Sequence, residues 1–216
     1  MTHSREDRGA AFVAYGDEAY TEVRQAVSCF RAYHDIPVTV VTDRTIKGAT
    51  VVNFADPGYG ARRAKLNLNN LIAYSKCLYM DADTRARGNI EALFAPLDDG
   101  WDLVITHSIS QIRNENLWHL GGDEREATYK EVGEPFPVIL QGGVFAYNRE
   151  TTGGFFQAWR EEWERWQGPD QGALLRALKR EPVKVWLMGR PFNAGYLVEH
   201  RYGQAAKEAE RWRVKA

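Results

Sequence analysis

Cysteine is nearly absent: Cys29 and Cys77 are the only two in 216 residues, and both lie in apolar segments. That leaves no disulfide framework. Two buried thiols in a cytoplasmic protein is the expectation, and nothing supports pairing them. No apolar run approaches the length of a membrane span. Residues 1–8 are polar and charged, without the apolar centre of a signal peptide. The net charge is only −1, so no global field favours nucleic acid. There is no internal repeat, low-complexity tract or linker, and the length suits one domain. What is present is ordinary for a globular chain, at 44% hydrophobic and 26% charged residues. Two features stand out. Seven tryptophans offer core surface or sugar platforms. The end is basic, with Arg201, Lys207, Arg211, Arg213 and Lys215 against Glu208 and Glu210.

The chain is organised around Lys76-Cys77-Leu78-Tyr79-Met80-Asp81-Ala82-Asp83-Thr84. A short apolar run, too brief for a helix, ends in two carboxylates spaced two apart. It predicts a buried strand. In an open α/β sheet the carboxyl ends of strands are where ligands bind. Asp81 and Asp83 there could hold a hard divalent cation, Mn²⁺ or Mg²⁺.

Around it the pattern alternates. Residues 10–15 predict a strand broken at Gly16-Asp17, and 18–34 a helix with apolar positions at three- and four-residue spacing. Residues 38–42 and 49–54 predict two more strands, and 61–74 one helix with Arg62, Arg63 and Lys65 near its start. Asn89 caps a short helix ended by Pro96, and a strand follows over 101–106. Residues 107–137 read as an irregular excursion from the sheet. Beyond Gln141-Gly142-Gly143 a strand covers 144–148. Helices follow over 152–166 and 170–178, then a short strand over 183–187 and a last amphipathic helix over 203–216. The fold class is α/β, with a mostly parallel central sheet flanked by helices.

The block from Ala64-Lys65-Leu66 through Asp81-Ala82-Asp83-Thr84 resembles the metal-binding block of family 8 glycosyltransferases, the glycogenin branch in particular. Four further segments match in order: Ala11-Phe12-Val13 with Asp17-Glu18-Ala19-Tyr20; Gln141-Gly142-Gly143-Val144-Phe145; Asp170-Gln171-Gly172-Ala173-Leu174-Leu175; and Phe192-Asn193 with His200 and Gly203. The resemblance implies a GT-A fold; the expectation for the chain is one catalytic domain over 1–216, without a separate acceptor-binding or anchoring domain. It implies a retaining hexosyltransferase that uses a UDP-sugar and Mn²⁺ or Mg²⁺. The working reading is that the rest of the chain brings a sugar nucleotide to the metal.

Roles follow by position. Asp81, Asp83 and His200 are the implied metal ligands. Val13, Ala14, Tyr15 and Tyr20 would receive the base, and Asp43 is a weaker ribose candidate. Lys65, helped by Arg62, would face the diphosphate or sugar; Asp81 and Ala82 also border the donor. Asp170 and Gln171 are the catalytic candidates, and Gln141 would bond sugar hydroxyls. The family's last lysine falls on Ala206, with Lys207 one place later, so Gly203 and Lys207 carry that contact through a shifted turn or it is lost. Each residue has a plainer alternative: a solvated turn for the aspartates, a packing histidine, a helix cap for Asp170. The stripe Phe155, Phe156, Trp159, Trp163, Trp166 reads as core, and Trp118 as a sugar platform. The acceptor (saccharide, lipid, protein or nucleic acid) is open, as is a homodimer. Two other functions compete: a sugar-1-phosphate nucleotidyltransferase, disfavoured by the acidic Gly16-Asp17-Glu18 turn, and a sugar-nucleotide-binding protein without turnover.

Overall fold

The computed structural model describes residues 7–54, 61–108, 117, 119–133 and 138–202. The expectations for Trp118, Gly203, Lys207 and the helix over 203–216 lie outside these residues.

A seven-stranded sheet forms the centre. In chain order it contains β1 (Arg8–Val13), β2 (Val38–Val41), β3 (Thr50–Val52), β4 (Lys76–Met80), β6 (Leu103–His107), β7 (Leu140–Asn148) and β8 (Val185–Met188). The spatial order is β3-β2-β1-β4-β7-β6-β8. The strands run parallel except β7, which is antiparallel to both neighbours. A separate two-stranded sheet pairs β5 (Thr84–Ala86) with β9 (Val198–His200).

The helices cover both faces. On one lies α1 (Asp17–Arg31), whose Val23, Ala26, Val27 and Phe30 pack with Phe12, Val40 and Leu78. On the other lie α6 (Gly153–Glu164) and α7 (Asp170–Arg180). Phe155, Phe156, Trp159 and Trp163 are buried there beside Phe145 and Tyr147, as the stripe predicted, whereas Trp166, past the end of α6, is only partly buried and lies outside that core. No helix among the described residues is long and apolar enough to cross a membrane.

The structure departs from the sequence pattern at several elements. The helix over 61–74 is two short ones, α2 (Ala61–Lys65) and α3 (Leu68–Leu71). Asn67 breaks it: its backbone leaves the helical region, and its side chain bonds the Arg63 carbonyl at 2.8 Å. A polar side chain here competes with the helix ladder. Pro96 does not end a helix. The 3-10 turn Glu91–Phe94 gives way to α4 (Ala95–Asp98), where Pro96 sits in the first turn that proline tolerates. The stretch over 107–137 contains a regular helix, α5 (Gly122–Val132), buried through polar groups. Arg176 of α7, 2% exposed, bonds Thr128, Glu124 at 3.1 Å and Glu162 at 3.1 Å. β7 runs unbroken through Gly142-Gly143.

Candidate active site

The site is built where β4 leaves the sheet. After Met80 the chain makes a tight turn. The Thr84 backbone N–H and hydroxyl both donate to the Asp81 carbonyl, at 3.1 and 2.7 Å. Arg85 braces the turn from below, donating to the carbonyls of Ala82 and Thr84 at 3.0 and 2.7 Å and pairing with Glu22 of α1. Nothing in the local sequence marks Arg85 or Glu22, since they meet only when α1 packs on β5.

His200 enters from the far end of the chain. β9 pairs with β5 so that His200 lies opposite Thr84, one residue past Asp83. Its Nε2 is 3.4 Å from Asp83 Oδ1 and 3.9 Å from Asp81 Oδ2. Tyr202 stacks on the ring with centroids 4.0 Å apart. One ligand atom each from Asp81, Asp83 and His200 all lie within 4.8 Å of one another. Two hard oxygens and one imidazole nitrogen fit a divalent cation such as Mn²⁺, which accepts both kinds of donor.

The second half of the site is Lys65. Its ammonium lies 2.8 Å from Asp170 Oδ2 and 3.5 Å from Asp81 Oδ1, nearly excluded from solvent. Burial acts to lower its pKa, but Asp170 and then Asp81 outweigh burial, and Lys65 holds its proton above the usual lysine range. Asp170 is pushed up by burial, yet Lys65 and then Arg62 carry its carboxyl below the usual value. Asp81 goes the other way: burial dominates, and Lys65, His200 and the Tyr79 hydroxyl offset it only in part. That hydroxyl donates to Asp81 Oδ1 at 2.6 Å.

Asp170 is the first residue of α7 and Pro169 stands at the N-cap, so Asp170 is not the cap that the plainer reading made it. Two tryptophans hold the turn before it. Trp159 Nε1 donates to the Asp170 carbonyl at 3.0 Å, and Trp163 Nε1 to Gly168 at 2.9 Å.

β7 passes between the two halves, and its glycines permit it. A Cβ on Gly142 would lie 3.3 Å from Lys65 Nζ; one on Gly143 would lie 2.3 Å from His200 Cε1 and 3.0 Å from Asp81 Oδ2. The Asp81 N–H donates to the Gly143 carbonyl at 2.8 Å.

A cavity of about 550 Å³ opens beside these groups. Val13, Tyr15, Arg62, Lys65, Asp81, Ala82, Asp83 and Asp170 line it, with Asp17, Glu18 and Glu22 from α1. Of the other described residues singled out in the sequence, none is part of its lining. Ala14 is buried, its N–H bonded to the Val41 carbonyl. Tyr20 donates to the Thr45 carbonyl at 3.2 Å, with the Arg44 guanidinium 5.0 Å from its ring centre. Gln171 Nε2 donates to the Leu140 carbonyl at 3.1 Å. Gln141 lies beside Tyr202, whose hydroxyl it bonds. Asp43 is half-exposed near Arg44.

No protein-family model matches the chain, and no curated protein matches it by sequence. Solved structures do match. The galactosyltransferase LgtC, in complex with donor and acceptor sugar analogs, aligns with a TM-score of 0.60 at 16% identity over 84% of this chain and 73% of its own. Mouse xyloside xylosyltransferase 1 gives 0.57 at 12% identity, covering 92% of this chain and 98% of its own. The glycosyltransferase GlyE of Streptococcus pneumoniae gives 0.59 at 16% over 94% of this chain, which covers half of that protein. The fold is therefore GT-A.

Proposed function

We propose that this chain is a metal-dependent glycosyltransferase. It moves a hexose, glucose or galactose first, from a UDP-sugar to an acceptor with retention at the anomeric carbon. The observation that carries this reading is the convergence of Asp81, Asp83 and His200 with the Lys65–Asp170 pair beside one cavity at the carboxyl end of β1 and β4. Solved glycosyltransferases with the same fold support it. So does the resemblance of the motifs to the glycogenin branch of family 8.

Asp81, Asp83 and His200 would hold the cation. Bound there, a divalent ion would neutralise the charge that develops on the departing diphosphate. The remaining steps belong to the side chains. Val13 and Tyr15 line the end of the cavity that would take the base. Arg62 adds a cation to a wall otherwise rich in carboxylates. Lys65 keeps Asp170 ionised, and an ion-paired carboxylate is a better counter-charge than nucleophile. Asp170 would steady positive charge at the anomeric carbon while the acceptor attacks from the leaving-group face, which yields retention. Gln171 would fix the start of α7 against β7.

Incubation with a panel of UDP-sugars and Mn²⁺, following UDP release, tests this. The expected result is release from one donor, abolished by EDTA and by Asp83→Ala. Calorimetry that detects no donor binding with Mn²⁺ present would overturn it.

A further inference from the structure

The ring of His200 has two nitrogens, and only Nε2 is turned to the carboxylates. What faces Nδ1 decides whether Nε2 can act as a ligand. Nδ1 lies 2.7 Å from Asn193 Oδ1. The other end of that amide is fixed as well: Asn193 Nδ2 donates to Thr106 Oγ1 at 2.9 Å. Both partners are buried, at 3% and 1% exposure. Asn193 is itself held by the 3-10 turn Arg190–Phe192, donating its backbone N–H to the Arg190 carbonyl at 3.0 Å. Thr106 stands on β6 where its register with β7 shifts, between Ile105 and Thr106.

With its amide nitrogen engaged on Thr106, Asn193 can offer His200 only an oxygen. An oxygen accepts, so Nδ1 must carry the ring proton. The neutral ring then has its lone pair on Nε2, aimed at Asp81 and Asp83. Without a cation, that lone pair faces two acceptors at 3.4 and 3.9 Å, an arrangement that favours something positive between them. Ligating imidazoles characteristically donate their second N–H to a carboxylate, carbonyl or water, and loss of that partner typically weakens metal binding about 10–100-fold.

We propose that Thr106 and Asn193 form a positioning relay that fixes the tautomer of His200 and thereby sets the metal affinity of the site. The proposal rests on the reading of Asp81, Asp83 and His200 as a metal site. Neither relay residue touches the ligand position, and each acts through His200.

Two measurements test it. In metal-free, ¹⁵N-labelled protein at a pH where the ring is neutral, long-range ¹H–¹⁵N spectra should show His200 protonated on Nδ1, with His200→Gln identifying its signals. A ring protonated on Nε2 would overturn the relay whether or not metal binds. Mn²⁺ affinity, from electron paramagnetic resonance of the free ion, gives the second arm. Asn193→Leu should weaken binding about 10–100-fold. Asn193→Asp, which keeps an acceptor on Nδ1, should restore it to near the wild-type value. A merely structural role would make the two variants fail alike, and that result overturns the proposal. Thr106→Val removes one hydroxyl and decides the case if the Leu variant does not fold. It should bind Mn²⁺ more weakly and show a mixture of tautomers, and wild-type affinity with a single Nδ1–H form counts against the relay. Wild-type protein that binds no Mn²⁺ would instead overturn the metal reading, while the tautomer spectra still judge the relay.

Discussion

Lys65 shows how much one side chain can carry. It is buried between two carboxylates from distant segments, and the pair with Asp170 is the closer. Removing one member of a buried ion pair leaves its partners uncompensated, at a cost of about 3–5 kcal/mol. Lys65→Met should lose about that much at pH 7 by urea denaturation; wild-type stability would show the pair to be dispensable. The pH dependence follows from the directions of the shifts. Asp170 has a folded pKa below its unfolded value, so its contribution is present above the unfolded carboxyl range, near pH 4, and is lost as pH falls through the folded value. Lys65 has a raised folded pKa, so its contribution is complete below about pH 10.4 and is lost as pH rises through the folded value. The gap between wild type and Lys65→Met should therefore stay flat through the neutral range and narrow in acid. The sequence marked Lys65 as a site cation, and the structure places it on the cavity wall. Its partners were not, because spacing along one helix says nothing about what arrives from α7.

At the scale of elements, the strands and helices with strong apolar periods were readable, and those held by polar groups were not. The β4 run into Asp81 and Asp83, the α1 pattern and the aromatic stripe of α6 all express burial directly in residue type. α5 does not, because its buried positions are Glu124 and Thr128, satisfied by Arg176. β5 and β9 are three residues each, with Arg85 and Glu199 at their middles, and exist through pairing with one another. β7 looked broken at Gly142-Gly143 because glycine weakens strands. Here the missing side chains make room for the site. Gly143→Ala should therefore fold, push the His200 ring aside and weaken Mn²⁺ binding at least about tenfold, the scale of losing a ligand's support. Unchanged affinity by calorimetry would show that the ring can give way. His34 makes the second test at this scale. It fastens the end of α1 to the segment before the Glu91–Phe94 turn, with Nδ1–H donating to the Phe30 carbonyl and Nε2 accepting from the Ile90 N–H, each at 2.9 Å. Burial lowers its pKa despite the Phe30 bond. A lowered histidine contributes stability above its unfolded pKa, about 6.5, and loses it as pH falls below that value. Urea midpoints should fall from pH 7.5 to 5.5 in the wild type and fall less in His34→Gln; an equal fall in both assigns the acid sensitivity elsewhere.

For the whole molecule, the decisive fact is that the proposed ligands come from segments far apart in the chain. Asp81 and Asp83 follow β4, whereas His200 ends β9, and they meet only after the central sheet has formed and β9 has returned to β5. An unfolded chain has no such cluster, so a cation held by all three binds the folded state alone. Its binding energy then adds to folding stability. At a free Mn²⁺ concentration 100 times its dissociation constant the gain is about 2.7 kcal/mol. For a chain of this length, each kcal/mol moves the melting temperature by about 2–4 °C. The wild type should therefore melt about 5–11 °C higher with saturating Mn²⁺, and EDTA should reverse the rise. Asp83→Ala, which removes an oxygen from the cluster without touching the Lys65–Asp170 pair, should melt as a folded protein yet show little or no Mn²⁺ shift. An equal shift in the variant would mean that the ion acts elsewhere on the surface. No shift in the wild type would mean that the three side chains converge for packing, with Lys65, His200 and the Tyr79 hydroxyl offsetting the burial of Asp81 without a cation.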